Sequence, residues 1–307
     1  YLERRLVDAG VDIFYFSKIF DADVENGKIT AVSVLNKDGF LEIRGKIFVD
    51  ATGDGDVGFF AGCGFEFGAD GKEGQPMSYL ALLTGLDREE VKFFTNNYPG
   101  FPIEAGKKNM LAELKRAGFT PSYLMPTLSY IREGVYNFGV NHQYGSGIDS
   151  KTLTKATIEG RHEVFQAVNA LKSLGGIWKN ISVIATPTYI GVRDGRRLKG
   201  EYTVTVDDLI TGAKHEDSVC RVTFNVDVHT KGGYENADVK MKPYDIPLRA
   251  LKAKGIDVVF RHTADGRIYG ATFIDHRTQS VFNGSRLGTN LSANALQEHF
   301  TLPYENE

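Results

Sequence analysis

Three aspartates fall within seven residues of the run Val49-Asp-Ala-Thr-Gly-Asp-Gly-Asp56, interleaved with small residues. Ala51 and Gly53 leave room for a ligand to lie directly against the backbone. Asp54 and Asp56 would repel a pyrophosphate, yet carboxylates accept hydrogen bonds from sugar or ribityl hydroxyls well, and Asp50 is counted with them as a cofactor-binding candidate. With Thr52, the run therefore fits the hydroxyl-rich part of a dinucleotide better than its phosphates. The same pattern also fits a plain strand-to-helix loop with aspartate caps. A calcium loop is disfavoured, because the D-x-[DN]-x-[DN]-G spacing is not met.

Two further groups carry chemistry. Arg193, Arg196 and Arg197 lie within five residues of one another. They could clamp a carboxylate, or pair with Glu201, Asp207 and Asp208. His142 and Tyr144 sit in the glycine-rich run Asn137-Phe-Gly-Val-Asn-His-Gln-Tyr-Gly-Ser-Gly147, where a histidine is either a proton donor or a structural side chain. Cys63 and Cys220 are the only cysteines and form no CxxC pair, so no metal site is expected and a reducing, cytoplasmic compartment is.

These residues need elements to position them. Tyr1–Ala9 reads as the end of a helix closed by Gly10, and residues 10–16 as a buried strand. Phe20, Ala22 and Val24 alternate with acidic residues, the period of a half-buried strand. Asn26-Gly27 and Asp38-Gly39 then separate two more alternating runs, which gives a three-stranded antiparallel meander. Its last strand is expected to run through residues 46–50 into the aspartate turn, and residues 57–61 to open a helix. Residues 87–97, 106–117 and 152–174 read as helices, the last with Ile158, Phe165, Val168 and Leu171 on one face. Strands are expected around Glu133-Gly134 within 127–142, and at 181–185, 201–206 and 218–228.

With 307 residues the chain exceeds what one core usually fills. Hydrophobic residues at 42% and charged residues at 24% exclude disorder as the main state. No apolar run reaches the length of a membrane span, so no membrane is expected as a partner. The net charge of −3 gives no electrostatic support for nucleic-acid binding.

Residues 1–251 resemble the FAD-dependent oxidoreductase family of the two-dinucleotide-binding-domain superfamily. The resemblance rests on LVDAGVDIFYFSKIFDADVENGKITAVSVLNKDG, KIFVDATGDGDVGFFAGCGFEFG and GQPMSYLALLTGLD. YIGVRDGRRLKGEYTVTVDDLITG, DSVCRVTFNVDVH and YDIPLRAL continue it in the family's order. It implies non-covalent FAD on a Rossmann-like domain, covered at the isoalloxazine by an antiparallel domain. Ala51, Thr52, Gly53 and Asp54 would lie beside FAD, and Arg193, Arg196 and Arg197 match the family's arginine cluster. The implied fold is mixed α and β. Residues 1–75 would be a partial FAD-binding domain with the meander, residues 76–251 an antiparallel substrate or cap domain, and residues 252–307 a separate hairpin-and-helix tail.

Two departures qualify that expectation. No strand–GxGxxG–helix segment is present, so a truncated N-terminus and weak or absent FAD binding are expected. Residues 259–300 resemble the C-terminal part of relaxase (mobilisation) proteins of Bacteroides-type elements, without their tyrosine–histidine chemistry. That tail is the one place where nucleic acid enters as an expected partner. The functional expectation is flavin-mediated hydride transfer on a small-molecule substrate. The alternative is a non-catalytic binding module.

Overall fold

The computed structural model describes residues 1–25, 27–68, 71, 73–224, 228–230, 233–235, 241–252, 257–262, 268–275 and 280–283. It divides into two compact units. One comprises residues 1–65, 198–224 and 240–307, the other residues 66–197 and 225–239. The fold is mixed α and β, and every strand pair whose register is resolved runs antiparallel.

The first unit begins with helix α1 (Leu2–Asp8) and the meander β1 (Lys18–Glu25), β2 (Lys28–Asn36) and β3 (Gly39–Arg44), in that spatial order. The meander is the one its turn residues predict. Val32 and Val34 of β2 pack with Val57 of the short helix α2 (Asp56–Phe60), flanked by Ile19, Ala22, Leu41 and Ile43. The two buried strands expected on either side of this sheet are not there. Residues 10–16 and 46–50 are not in strands; Phe16 is 97% and Val49 85% exposed. A strand persists only where a neighbour takes its backbone groups, and the pairing of β3 with β2 ends at Arg44 opposite Ala31.

The second unit holds the larger core. Strands β4 (Leu80–Thr84), β5 (Thr127–Arg132), β6 (Val135–Gly139) and β7 (Ser182–Ala185) form a sheet of order β5-β6-β4-β7. Helices α3 (Ile103–Arg116) and α4 (Ser150–Ser173) bury Met110, Leu114, Val164, Val168 and Leu171 with Tyr79, Leu83, Phe138 and Trp178. Asp149 caps α4 by accepting from the Thr152 backbone N–H at 2.7 Å.

Three expectations need correction here. Residues 87–97 form turns and a single 3-10 turn at Lys92–Phe94, not a helix, although Asp87 does accept from the Glu89 and Glu90 N–H groups. On α4, Ile158 is 60% exposed and Phe165 also faces solvent; the packed stripe is Ala156, Gly160, Val164, Ala167 and Leu171. Small residues carry that stripe because a Cβ on Gly160 would stand 2.8 Å from the Tyr79 Cβ. Lastly, residues 201–206 form no strand. Thr205 and Asp208 form a capping box that starts helix α5 (Val206–Thr211).

The chain continues with β8 (Ser218–Val222), β9 (Val228–Thr230), β10 (Gly233–Glu235), β11 (Tyr244–Pro247) and the turn-length helix α6 (Leu248–Leu251). Strand β8 pairs with β11, and β9 with β10. Beyond them β12 (Asp257–His262), β13 (Ile268–Asp275) and β14 (Ser280–Asn283) make a three-stranded antiparallel sheet. It extends the expected hairpin by one strand. The turn at Asp265-Gly266 and the helix expected at 292–299 lie outside the described residues. Among the described residues no helix is long and apolar enough to cross a membrane.

Candidate functional site

The aspartate turn is organised by Asp50. Its Oδ1 accepts from the Thr52 backbone N–H at 3.1 Å and from the Thr52 hydroxyl at 2.7 Å, while Oδ2 accepts from the Gly58 N–H at 2.9 Å. Thr52 Oγ1 in turn accepts from the Asp56 N–H at 2.8 Å. Partial desolvation pushes the Asp50 carboxyl up, but the bonds from Thr52, Gly58 and Val57 outweigh it and hold the carboxyl below its ordinary range. Asp50 is therefore spent on the loop itself. Asp56 is ion-paired with Lys18 at 3.3 Å. What remains open is backbone. Ala51, Thr52 and Gly53 are exposed, and Gly53 has φ +89° with open space where a Cβ would project. The turn thus presents a bare peptide surface beside the half-buried Asp54, which fits a polyol lying flat on it.

In the second unit two isolated bridges join three segments, Met77 to Gln143 and Ser78 to Gly191. The Met77 and Gln143 N–H and C=O groups exchange two bonds of 2.8 Å. Side chains alternate across such a ribbon. Met77 and Gln143 share the face toward α4, where the Gln143 amide donates to Glu163 at 2.9 Å. His142 and Tyr144 consequently share the opposite face with Ser78. The Arg193 guanidinium is fixed on that face, donating from Nε to the Pro76 carbonyl and from Nη2 to the Ser78 hydroxyl, both at 3.3 Å.

His142 is 3% exposed. Its ring is stacked on Tyr123 at 4.0 Å between centroids and edge-on to His229 at 5.1 Å and Tyr144 at 6.4 Å. Its backbone N–H donates to the Ser122 hydroxyl at 2.9 Å. Burial, then the positive charges of His229 and Arg193, push the imidazole down to about 4. At neutral pH it is an uncharged ring with a lone pair to offer. Behind the ribbon, burial raises the Glu163 carboxyl, only partly countered by its bonds from Ser122 and Gln143.

Of the five expected catalytic residues, the structure brings His142, Tyr144 and Arg193 onto one face. Arg197 is used elsewhere, pairing with Asp194 at 2.8 Å and donating to the Gly68 carbonyl at 2.6 Å. Arg196 is half-buried. The acids proposed as their partners are also committed elsewhere: Glu201 to Lys252, and Asp208 to Tyr202 and Thr205. The local pattern concealed Tyr123, Ser122, Ser78 and His229. His229 lies on β9, 87 positions from His142 (229 − 142), and no spacing rule links them. Among the described residues no group of three or more histidines, cysteines, aspartates or glutamates is placed to hold a metal.

Residues 1–276 match the family described as FAD dependent oxidoreductase. The match runs past residue 251, through β12 and β13. No curated protein matches. Among solved structures, the flavin-dependent brominase Bmp2 in a triple-mutant form is 13% identical, covers 66% of this chain and 45% of its own, and superposes with a TM-score of 0.39. A geranylgeranyl bacteriochlorophyll reductase-like protein from Thermoplasma acidophilum is 15% identical, with coverages of 64% and 41% and a TM-score of 0.37. An L-proline dehydrogenase from P. horikoshii is 16% identical, with coverages of 64% and 41% and a TM-score of 0.29. The chain spans less than half the length of these structures.

Proposed function

Because the chain belongs to the FAD dependent oxidoreductase family, whose cofactor is FAD, we propose that it is a flavin enzyme acting on a small organic substrate. The family match over residues 1–276 carries this reading. Bound FAD would supply two-electron acceptor chemistry. The contacts proposed for it are the exposed backbone of Ala51, Thr52 and Gly53 and the carboxylate of Asp54, accepting from ribityl or ribose hydroxyls. Asp50 and Asp56 shape that turn rather than touch the cofactor. The substrate's place is the face bearing His142, Tyr144 and Arg193. Neutral His142 accepts a proton there, Arg193 orients, and the rings of Tyr123 and His229 keep water away. Since the family match includes β12 and β13, the reading assigns them to the oxidoreductase rather than to a mobilisation protein.

The test is a flavin titration of the purified chain, followed by fluorescence quenching, with Gly53→Asn as comparison. Asparagine tolerates a positive φ and places its amide where the polyol would lie. FAD binding by the parent, weakened at least tenfold in the variant at an unchanged melting temperature, is the expected result. Equal binding by both proteins, or none by the parent, overturns the assignment of the turn.

A further inference from the structure

Behind the ribbon, on the side turned away from His142, α4 and the segment that follows α3 border a cleft of about 380 Å³. Clefts that take small organic ligands run from about 300 to 1,000 Å³, so this one admits a small molecule. Phe119, Ser122, Gln143, Glu159, Glu163 and Gln166 are among its lining residues. Glu163 is the half-buried group in its wall that nothing above employs. Its Oε1 accepts from the Ser122 backbone N–H at 2.6 Å. Its Oε2 accepts from the Ser122 hydroxyl at 2.8 Å and from the Gln143 amide at 2.9 Å. All three donors are neutral, and among the described residues no lysine, arginine or histidine pairs with this carboxylate. Lys155, on the same helix, goes instead to Glu159 at 3.8 Å. A carboxylate taken out of water ordinarily gains a counter-charge, and burial without one raises this carboxyl. Oε1 receives a single donor, so the group keeps capacity for one more.

We propose that this cleft is a second binding site, for a small primary ammonium ion on a short apolar body, with the ammonium donating to Glu163 and the body lying on Phe119. The ammonium supplies the positive charge that Ser122 and Gln143 lack, through a charge-assisted hydrogen bond. Glu159, 52% exposed on the same helix, adds negative potential at the rim. An anion would meet both carboxylates and is disfavoured; an alcohol could donate to Glu163 but brings no charge. The cleft lies wholly within the unit that contains residues 66–197, so the site needs neither FAD nor the aspartate turn. It is nevertheless tied to the His142 face. The Ser122 hydroxyl that donates to Glu163 also accepts the His142 N–H at 2.9 Å, which places Glu163 two hydrogen bonds from the His142 backbone.

The test is a calorimetric titration of the full chain at neutral pH, where an alkylamine is protonated as a lysine is. Butylamine is the probe, with n-butanol and butyrate as its uncharged and anionic counterparts. Saturable binding of butylamine is expected, with both counterparts weaker by about tenfold or more, the scale of a charge-assisted hydrogen bond. Glu163→Gln removes the charge and should weaken butylamine by about tenfold. If Glu163→Gln lowers the melting temperature through its bonds to Ser122, Gln166→Trp still decides. That variant fills the cleft from an exposed position on α4, leaves the Glu163 bonds intact, and should abolish butylamine binding at an unchanged melting temperature. No saturable binding by the parent overturns the site. Butylamine binding that survives unchanged in Gln166→Trp places the amine elsewhere on the surface and overturns it too. n-Butanol binding as tightly as butylamine overturns the ligand class.

Discussion

The aspartate turn and the His142 face solve opposite problems. In the turn, the polar side chains are satisfied locally: Asp50 takes three bonds from residues at most eight positions away, and Thr52 returns one to Asp56. Its backbone is left bare. On the His142 face the backbone is paired by two bridges, while the imidazole is buried among the rings of Tyr123 and His229 and kept uncharged. The first arrangement builds a rigid surface for something to lie on; the second holds a group ready to bond something that arrives. A rigid loop gains stability from its polar residues, whereas a poised site gives some up. The contrast is therefore measurable by mutation in each region and by how each variant departs from the parent as pH falls.

The largest effect should come from His142. Its pKa stands at about 4, below its ordinary value of 6.5, because burial, His229 and Arg193 all oppose the imidazolium. Below pH 6.5 the unfolded chain takes up the proton that the folded chain refuses. Stability contributed by the neutral ring is thus complete above pH 6.5 and is lost as pH falls toward 4. The lost stability is about 3 kcal/mol across that window at 1.36 kcal/mol per unit. The groups facing His142 are Tyr123, Tyr144, His229 and Arg193. Glu163, with a raised carboxyl, works with the opposite sign: it stabilises at low pH and loses that contribution as pH rises through its folded value. Denaturant melts of parent and His142→Phe between pH 4 and 7 separate the two. The variant should show a flatter acid limb, because it lacks the group that the folded chain keeps unprotonated. A variant whose acid limb matches the parent's would mean burial does not hold the imidazole neutral, and the contrast between the two regions would collapse.

How much of this was legible differs between the regions for the same reason. Gly27 and Gly39 mark the meander turns within the sequence, and β1 to β3 follow them. The Thr205-x-x-Asp208 capping box was equally local, yet the alternation of Tyr202, Val204 and Val206 imitated a strand and hid it. The span of α4 could be read, but its buried face could not. Ala156 and Gly160 are weak hydrophobic signals, and what places them inside is the close approach to Tyr79 and Asn141, residues far away in the chain. The turn's chemistry was visible because the hydrogen-bond partners of Asp50 and Thr52 lie between positions 50 and 58. His142 and Tyr144 were visible as candidates, but His229 and Tyr123 join them only through folding.

On the other side of the comparison, Asp50→Ala removes three bonds at once from the turn. A lost cap with charge-assisted bonds costs about 2 kcal/mol. Because the Asp50 carboxyl sits below its ordinary range, its contribution is present above the unfolded carboxylate pKa and fades as pH falls through the folded value. The parent and Asp50→Ala should therefore converge in stability toward the acid end, where the parent and His142→Phe diverge. Asp50→Asn, which keeps one acceptor oxygen, should recover part of the loss. An Asp50→Ala protein as stable as the parent at pH 7 would show that the turn is not held by its own side chains.

The smallest effect sharpens where the turn's rigidity resides. Lys18 of β1 reaches Asp56 at 3.3 Å and ties the meander to the turn. Its side chain is 77% exposed, however, so water and salt screen the pair and the ammonium keeps most of its freedom. Asp56 is positioned independently, because its backbone N–H is held by Thr52 and Val57 beside it is packed on Val32 and Val34. Lys18→Ala should cost about 0.3 kcal/mol, vanishing at high salt. It should leave FAD affinity within error, whereas Asp50→Ala lowers it. A loss from Lys18→Ala comparable to that from Asp50→Ala would relocate the turn's support from its own hydrogen bonds to the sheet beneath it.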